Sequence, residues 1–371
     1  MKSVKELKNI KGKRVIVRTD FNVPLNGTKV LDTTRITVAQ KTIDFLRKKG
    51  AKVILVSHIG REPEETLKPV FLLLKKYFPL CYVTDITGIE AQKAVGNMKN
   101  GDVLMLENLR SVAGEKDGDK LFALALAKLG DIYVNEAFPV SHREDASIVL
   151  LPKLLPSYAG FQFEREVKEL SKLLKPKHPF LFIQGGVKAE TKIPLLKKYL
   201  KEADHVFIGG GLADDFLRAE GIDVGKSKVD SEAPLLKTLL KNKKLIVPES
   251  VVVERDGKKQ TVSIHDIRHT ESIFDIGLPS IDALAGLIKK AKLIVWNGPM
   301  GWYEGGYTKG TEEVIKLLAS AKAETIIGGG DTAVLVEKKK MADKFTFVST
   351  AGGAALEFMA KGTLPGIKAL K

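Results

Sequence analysis

The sequence predicts an α/β protein of two domains, each a mostly parallel β-sheet covered by helices. Short runs rich in β-branched residues recur along the 371 residues, and amphipathic helical stretches separate them. The residues that follow these runs change from charged side chains to glycines near the middle of the chain. A chain of this length also favours two hydrophobic cores over one.

Ten runs have the composition of buried strands. Helical stretches between them favour parallel pairing, in a Rossmann-like arrangement, because parallel strands need a crossover connection. Ligands of open α/β sheets bind beyond the carboxyl ends of the strands, so the residues after each run are the ones of interest. The runs are KRVIVRTDF, AKVILVSHIG, GDVLMLENLR, DIYVNEAF, HPFLFIQGG, DHVFIGGG, KLIVPES, AKLIVWNGP, AETIIGGGD and FTFVSTAGG.

Charged and amide side chains follow the strands of the first half. Residues alternate faces along a strand, so Arg18, Asp20 and Asn22 are predicted to share one face. A single arginine after a strand is usually a surface or ion-pair residue. Five in separate segments predict a shared anion site, since guanidinium binds carboxylate and phosphate through two bonds. The candidates are Arg18, Arg35, Arg61, Arg110 and Arg143, with His58 and His142 beside them.

Glycines follow the strands of the second half, where bare backbone N–H groups can cradle phosphate. Neither a G-x-x-x-x-G-K-[ST] nor a G-x-G-x-x-G motif is present, so the two best-known phosphate loops are not indicated. The candidate loops contain Gly185–Gly186, Gly209–Gly211, Gly298 with Gly301, Gly328–Gly330 and Gly352–Gly353.

Three further features of the second half suit a nucleotide. Lys188 and Lys192 share one face of a helix, although an isolated lysine pair is usually solvated. Asp331 precedes a helical stretch, where it is either a simple N-cap or a ligand for Mg²⁺ held jointly with phosphate oxygens. Trp296 and Trp302 flank a tight turn and are predicted to form a ligand wall.

The domain boundary is predicted near residue 157. The stretch 161–175, FQFEREVKELSKLLK, has a helical apolar stripe and prolines on both sides, which is typical of a helix joining two domains. We therefore expect domains at 1–157 and 158–357, the second including this helix.

Composition bounds the partners and the location. The net charge of +15 suits either nucleic-acid binding or a lysine-rich solvated surface. The lysines are dispersed and do not interleave with aromatics, which favours the solvated surface, so nucleic acid is not expected. Cys81, the only cysteine, excludes an internal disulfide and is predicted to be a small buried residue. No apolar run suggests a membrane span or a secretion signal, so we expect a cytoplasmic location.

An arginine site for a small anion and a glycine-rich phosphate site together predict phosphoryl transfer between a nucleotide and an anionic acceptor. Such chemistry requires mainly positioning and charge neutralisation. No nucleophile–base pair is evident, and a carboxylate acceptor needs none because it is already ionised near pH 7.

The motifs resemble those of the phosphoglycerate kinase family, in family order from about residue 14 to the C-terminus. They are RTDFNVP, SHIGR, LENLR, NEAF..SHR, GGVK...K, IGGG, VWNGPMG.YE, GGGDTA and STAGGAALEFM.KGTLPGIKAL. The resemblance implies a monomeric, hinge-bending glycolytic kinase with a central cleft. Its reaction moves a phosphoryl group between ATP and the carboxylate of 3-phosphoglycerate, with Mg²⁺. It also implies that the C-terminal residues 358–371 pack back on the first domain.

The resemblance also implies roles for individual residues. Asp20, Asn22, Arg35, His58, Arg61, Arg110 and Arg143 would hold phosphoglycerate. Arg35 and Lys188 would stabilise the transferring group, near the helix that Gly352 and Gly353 open. The nucleotide would contact Gly186, Val187, Lys192, Gly209, Gly210, Gly211, Asn297, Pro299, Gly301, Glu304, Gly329, Gly330, Asp331 and Thr332, with Asp331 also holding Mg²⁺.

Several positions depart from the family pattern, among them Pro139, Val187, Thr191 and Ala351. None of these changes removes a charged candidate, so we expect altered affinity and retained activity. Two alternatives are a binding protein on the same scaffold that has lost catalysis or holds nucleic acid, and another acyl-phosphate enzyme that accepts a different acid.

Overall fold

The first half of the chain forms a six-stranded parallel sheet and a short hairpin. The computed structural model describes residues 1–187, 189–229 and 233–370. The sheet order is β5-β6-β4-β1-β7-β8, and β2 pairs with β3 in the hairpin. The strands are β1 (Arg14–Arg18), β2 (Leu25–Asn26), β3 (Lys29–Val30), β4 (Lys52–Val56), β5 (Cys81–Val83), β6 (Val103–Leu106), β7 (Ile132–Asn135) and β8 (Ser157–Ala159).

Helices cross between the parallel strands of this sheet and cover its apolar side chains. Fully buried residues such as Val15, Val17, Leu55 and Ile43 form a common core. The helices are α1 (Thr34–Lys48), α2 (Lys68–Leu74), α3 (Ile89–Asn97), α4 (Ala113–Lys116), α5 (Lys120–Ala127), α6 (Ala146–Val149), α7 (Leu151–Leu154) and α8 (Phe161–Ser171).

The second half contains another six-stranded parallel sheet, in the order β11-β10-β9-β15-β16-β17, and a three-stranded antiparallel sheet, β13-β12-β14. All ten predicted strands are present and pair in parallel, which confirms the α/β prediction. The strands are β9 (Phe180–Gln184), β10 (His205–Ile208), β11 (Leu245–Ile246), β12 (Ser250–Arg255), β13 (Lys258–Ser263), β14 (Ile273–Ile276), β15 (Leu293–Asn297), β16 (Glu324–Gly328) and β17 (Phe347–Val348).

Helices also cover the parallel sheet of the second half, and Trp296, Leu284 and Val314 are buried in its core. These helices are α9 (Ala189–Glu202), α10 (Gly211–Glu220), α11 (Ala233–Leu240), α12 (Leu278–Lys290), α13 (Lys309–Ala319), α14 (Gly330–Lys338) and α15 (Gly353–Lys361). A last helix, α16 (Pro365–Ala369), belongs to the first half of the molecule, where the Gly366 N–H donates to the Ser141 carbonyl at 2.9 Å.

The chain divides into two compact units. The first unit holds Met1–Lys168 with Lys361–Lys371, and the second holds Glu169–Ala360. The division falls inside α8, the helix predicted over 161–175, about eleven residues beyond the boundary expected from the sequence.

Two features of the fold differ from the sequence-based expectations. The antiparallel sheet β13-β12-β14 was not predicted, because β13 is mostly polar and exposed and lacks a buried-strand pattern. Cys81 is exposed, not buried, because it lies on the outer edge strand β5 of the first sheet. None of the helices in the described ranges combines the length and apolar character that a membrane span requires.

Candidate active site

Arg18, at the end of β1, is completely buried inside the first unit. Its Nε donates to the Ser147 hydroxyl at 2.8 Å, and its NH2 lies 3.7 Å from the buried Glu115 carboxylate. The Ser147 hydroxyl in turn donates to Glu115 at 2.6 Å. The prediction that Arg18 extends into the rim of an anion site therefore needs correction, because its guanidinium is engaged in the interior.

A hydrogen bond from Arg18 orients His58, which follows β4. NH2 of Arg18 lies 3.3 Å from Nδ1 of His58. A guanidinium has only donors, so Nδ1 accepts and the proton is assigned to Nε2. Burial lowers the pKa of His58 well below its usual value, and the charge of Arg18 lowers it further. His58 is thus a neutral ring whose buried Nε2–H has no partner in the described part of the chain.

Asp20, Asn22 and Arg35 meet beyond β1. NH1 of Arg35, in the first turn of α1, lies 3.0 Å from Oδ2 of Asp20 and donates to the Asn22 carbonyl at 2.9 Å. Asp20 is almost fully buried, and its Oδ1 accepts from the Asn22 N–H at 3.2 Å. Asp20 and Asn22, predicted at one strand end, are therefore joined directly to Arg35, a candidate from a separate segment.

Gly60 connects this group to another strand end. Its N–H donates to Oδ1 of Asn22 at 2.9 Å, and its carbonyl accepts from NH1 of Arg110, which follows β6. A positive φ of 64° brings the Gly60 backbone between them, and a Cβ there would overlap the Glu65 carboxylate. Sequence reasoning did not single out Gly60, although the glycine in SHIGR was a signal for it.

The remaining cationic candidates lie near the same strand ends. Arg61 follows Gly60 and is exposed. Arg143 is half-buried and close enough for its charge to lower the His58 pKa. His142 is half-buried, and its Nδ1 has no hydrogen-bond partner among the described residues. These residues bring positive charge and hydrogen-bonding groups to the same strand ends of the first unit, where Asp20 contacts Arg35 directly and Asp145 lies close enough to interact with Arg143 and His142.

Glycine loops pack closely beyond the strands of the second unit. The Gly186 N–H donates to the Pro299 carbonyl at 2.8 Å, and the Leu212 N–H donates to the Gly186 carbonyl at 2.8 Å. Gly210 has a φ of 60°, and a Cβ on it would lie 2.6 Å from the Gly186 nitrogen. Only glycine permits this approach, because it has no Cβ. The glycine runs therefore allow three loops to pack together.

A cavity of about 490 Å³ opens beside these loops. That volume lies within the usual range for a small-molecule site. Eight of the predicted nucleotide-binding residues line the cavity, namely Gly186, Val187, Gly210, Gly211, Pro299, Gly301, Glu304 and Asp331. Gly209 lies below it, packed against Met300.

The other predicted nucleotide residues lie near the ends of β15 and β16. The hydroxyl of Thr332 accepts from the Gly298 N–H at 2.9 Å. Asn297 donates to Gln184 at 3.1 Å, and a Cβ on Gly329 would lie 2.4 Å from the Asn297 carboxamide oxygen. That oxygen is buried and has no partner in the described part of the chain. Gly330 begins α14 and so presents its N–H groups at a helix N-terminus.

Lys192 and Asp331 bring opposite charges to this region. Burial lowers the pKa of the Lys192 ammonium, and the Asp331 carboxylate partly opposes that shift. Asp331 is exposed in the first turn of α14. Gly352, with φ 48°, precedes α15 and Gly353 begins it, and a Cβ on Gly352 would lie 3.8 Å from the Gly330 nitrogen. Lys188 lies outside the described residues.

The two tryptophans have different positions. Trp296 is fully buried in the core of the second unit, so the prediction that it forms part of a ligand wall is wrong. Strand β15 is central, and its side chains face helices on both sides. Trp302 lines the cavity, is 55% exposed and stacks on Phe274 with ring centroids 5.9 Å apart.

Sequence reasoning missed the residues that α10 and β14 bring to the cavity. Asp214 and the segment Ile273–Ile276 line it, as do Lys226 and Lys228. The short run SIFDI, rich in β-branched and aromatic residues, was the available signal for β14.

Residues of the second unit fit a magnesium ion bound together with phosphate. No group of three or more metal-ligating side chains occurs among the described residues. Mg²⁺ commonly uses only one or two carboxylates, with water and substrate phosphates as the other ligands. The exposed Asp331 carboxylate, at the edge of the cavity and beside a helix N-terminus, matches that donor set.

Comparisons with known proteins identify the family of this chain. The family model described as phosphoglycerate kinase matches residues 4–362. The phosphoglycerate kinase of Borreliella burgdorferi is 40% identical over 390 aligned residues, covering 100% of this chain and 99% of that protein. The phosphoglycerate kinase of Bartonella tribocorum is 43% identical over 387 residues, covering 98% of this chain and 97% of its own.

Solved structures give the same result. The phosphoglycerate kinase structure from Coxiella burnetii has a TM-score of 0.87 and 35% identity, covering 99% of this chain and 98% of that one. The structure from Pyrococcus horikoshii has a TM-score of 0.91 and 28% identity, covering 100% and 98% of the two chains. The chain described here therefore belongs to the phosphoglycerate kinase family.

Proposed function

We propose that this protein catalyses reversible, Mg²⁺-dependent phosphoryl transfer between ATP and the carboxylate of 3-phosphoglycerate. The observation that carries the proposal is the joined group of Asp20, Asn22 and Arg35, beside His58 and Arg110, in a chain of this family. This group offers donors for an anion and one carboxylate for a hydroxyl, which suits a hydroxy acid that bears a phosphate.

The first unit binds and orients the acid. Arg61, Arg110, His142 and Arg143 supply positive charge or donors for phosphate and carboxylate. Neutral His58 donates from Nε2, and Arg18 keeps that tautomer by bonding to Nδ1. Asp20 accepts from the substrate hydroxyl, which selects a hydroxy acid from among other anions. Arg35 also stabilises negative charge on the transferring group.

The second unit binds the nucleotide. The cavity at Gly210, Gly211 and Pro299 takes the base, with Gly209 beneath it, and Glu304 accepts from the ribose. The remaining predicted residues, Lys188, Lys192, Asn297, Gly329, Gly330, Thr332, Gly352 and Gly353, serve the phosphates through ammonium, amide and backbone N–H groups.

Asp331 would hold the magnesium ion, which when bound neutralises phosphate charge. The acceptor carboxylate is already ionised near neutral pH, so no side chain has to remove a proton from it. Positioning and charge neutralisation are then the main tasks of the protein.

We also propose the setting in which the enzyme works. Its substrates are glycolytic intermediates, which suits a cytoplasmic monomer that handles small molecules. The net charge of +15 is then carried by a solvated, lysine-rich surface. Retention on DNA that falls with salt and does not respond to ATP would instead favour the nucleic-acid alternative.

The test measures turnover with 3-phosphoglycerate and MgATP through a coupled assay, for the wild type and for Arg35→Ala. Loss of a cationic group that stabilises a transferring phosphoryl lowers kcat by about 10³-fold or more. ADP affinity should stay unchanged, because the nucleotide cavity belongs to the other unit. Arg47→Ala is the matched control, because Arg47 lies on the same helix and contacts Asp44 and the Phe78 ring, neither of which is a predicted site residue.

Two results would contradict the proposal. A folded wild type without turnover on 3-phosphoglycerate would exclude this activity. Full turnover by Arg35→Ala would remove Arg35 from the mechanism. Turnover on a different acid, lost in Arg35→Ala, would instead support the other acyl-phosphate enzyme.

A further inference from the structure

Asp214 is a buried carboxyl group on the wall of the nucleotide cavity. It lies in the first turn of α10, directly after the loop Gly209–Gly211, and is only 4% exposed. Its Oδ1 has no hydrogen-bond partner in the described part of the chain, and no ion pair to this residue occurs there either. Leaving a buried polar atom without a partner costs stability, so its persistence requires a reason.

Asp275, in the same unit, is a buried carboxyl group with a structural role and serves as a comparison for Asp214. This residue also lines the cavity and is 4% exposed. Its Oδ1 accepts from the Ile276 N–H at 2.9 Å, and its Oδ2 accepts from the Gly310 N–H at 2.8 Å. Both oxygens of Asp275 thus have protein partners, whereas the Asp214 carboxyl retains hydrogen-bonding capacity at the cavity.

The surroundings of Asp214 favour its uncharged form. Burial raises its pKa well above the usual value, and the neighbouring carboxyl of Asp215 raises it further. The cationic side chains that line the cavity, Lys226 and Lys228, are exposed to solvent. A neutral carboxyl presents one donor and one acceptor side by side.

We infer that Asp214 pairs with the edge of the base that carries N7 and the 6-substituent, and that this pairing makes the enzyme prefer adenine to hypoxanthine. The inference rests on the proposed nucleotide site. Trp302 and Phe274 supply an aromatic wall for the ring, and Asp214 supplies the polar group that fixes its orientation.

The hydrogen-bonding pattern of the base explains the preference. Adenine has an amino donor with a ring-nitrogen acceptor on either side of it, so both flanking edges match a neutral carboxyl. Hypoxanthine has a carbonyl oxygen in place of the amino group. The hypoxanthine edge that carries N7 therefore presents two acceptors and does not match the donor and acceptor of a neutral carboxyl. Only the other edge of hypoxanthine matches them. A mismatched edge leaves buried polar groups unpaired, and such sites discriminate most strongly.

The test compares ADP and IDP affinities by calorimetry in the wild type, Asp214→Asn and Asp214→Leu. We expect the wild type to bind ADP about tenfold more tightly than IDP, the size of one net hydrogen bond. Asp214→Asn should keep most of this ratio, because a carboxamide also presents a donor beside an acceptor. Asp214→Leu, which has the same heavy-atom branching but no polar atom, should bring the ratio close to one. Asp215→Asn is the control and should keep the wild-type ratio, since Asp215 is equally buried but does not line the cavity, and burial, the larger cause of the raised Asp214 pKa, is unchanged.

The inference fails if the wild type binds ADP and IDP equally, or if Asp214→Leu keeps the wild-type ratio. Thermal midpoints of each variant with and without ADP show whether the protein is folded. The affinity ratio does not depend on catalysis. If the protein does not turn over 3-phosphoglycerate but still prefers ADP to IDP, the proposed reaction is overturned and the role of Asp214 remains supported.

Discussion

The buried ion pair of Arg18 and Glu115 allows a quantitative test of how the interior of the first unit supports the proposed 3-phosphoglycerate site. Both side chains are completely buried, with Arg18 NH2 3.7 Å from Glu115 Oε1. Glu115 also accepts from the Ser147 N–H at 2.9 Å and from its hydroxyl at 2.6 Å. Glu115→Gln keeps the shape of the side chain but removes its charge.

The expected cost follows from the charge that remains. The variant leaves the buried Arg18 guanidinium without the counter-charge of Glu115, the carboxylate that pairs with it at 3.7 Å. Removing one member of a buried ion pair typically costs about 3–5 kcal/mol. For a unit of this size such a loss lowers the unfolding temperature by about 10 °C. Asp117→Asn removes the same charge two residues away at an exposed position, and should change the stability by less than about 0.5 kcal/mol.

The assay follows urea unfolding of the wild type and both variants with two probes. Both tryptophans, Trp296 and Trp302, lie in the second unit, so tryptophan fluorescence reports that unit, whereas far-ultraviolet circular dichroism reports both. Glu115→Gln should move part of the circular dichroism transition to lower urea, ahead of the fluorescence change. A free energy of unfolding for Glu115→Gln within about 1 kcal/mol of the wild-type value would refute the reasoning, because a buried charge that loses its partner destabilises a protein by more than that.

Two further predictions concern a glycine turn and a buried acid. Gly210→Ala should weaken ADP binding at least tenfold, because the added Cβ would lie 2.6 Å from the Gly186 nitrogen, and it should leave the affinity for 3-phosphoglycerate unchanged. Calorimetry measures both affinities. The control is Gly286→Ala, whose Cβ would meet nothing within 4 Å and which should bind both ligands normally. Burial raises the pKa of Glu136 from 4.5 to about 7, so its unfolded form loses the proton first and stability falls as pH rises between these values. The loss in the free energy of unfolding is about 3 kcal/mol. Between pH 4.5 and 8 the urea midpoint of Glu136→Gln should therefore fall less than that of the wild type. Parallel pH profiles of the two proteins would count against the raised pKa of Glu136.

The parallel strands were predictable because their side chains are buried on both faces. Val15–Val17 and Val53–Val56 are continuous apolar runs, which only such an environment requires. Edge strands lack this signal. Strand β5 is partly exposed, and β13 carries mostly polar residues, so neither has a pattern that distinguishes it from a loop.

The candidate site was predictable as a set of residue types, but not as a set of contacts. The arginines near the strand ends and the glycine runs were evident in the sequence. That Arg18 turns inward to Glu115 was not, because Glu115 is 97 positions away along the chain and is brought there by packing. Asp214 likewise looked like an ordinary residue of a helix until the cavity beside it was known.

The sequence by itself determined the α/β class, ten parallel strands and the family, and it predicted the residue types of two candidate sites. These properties depend on local patterns of burial, turns and motifs, which neighbouring residues encode. Only the tertiary structure decided which candidates line a cavity and which are buried in the interior. Arg18 supports His58 from the interior, Trp296 fills a core, and Asp214 borders the nucleotide cavity. Those outcomes depend on residues distant in the chain meeting in space, and a side chain's charge or size does not reveal its partners.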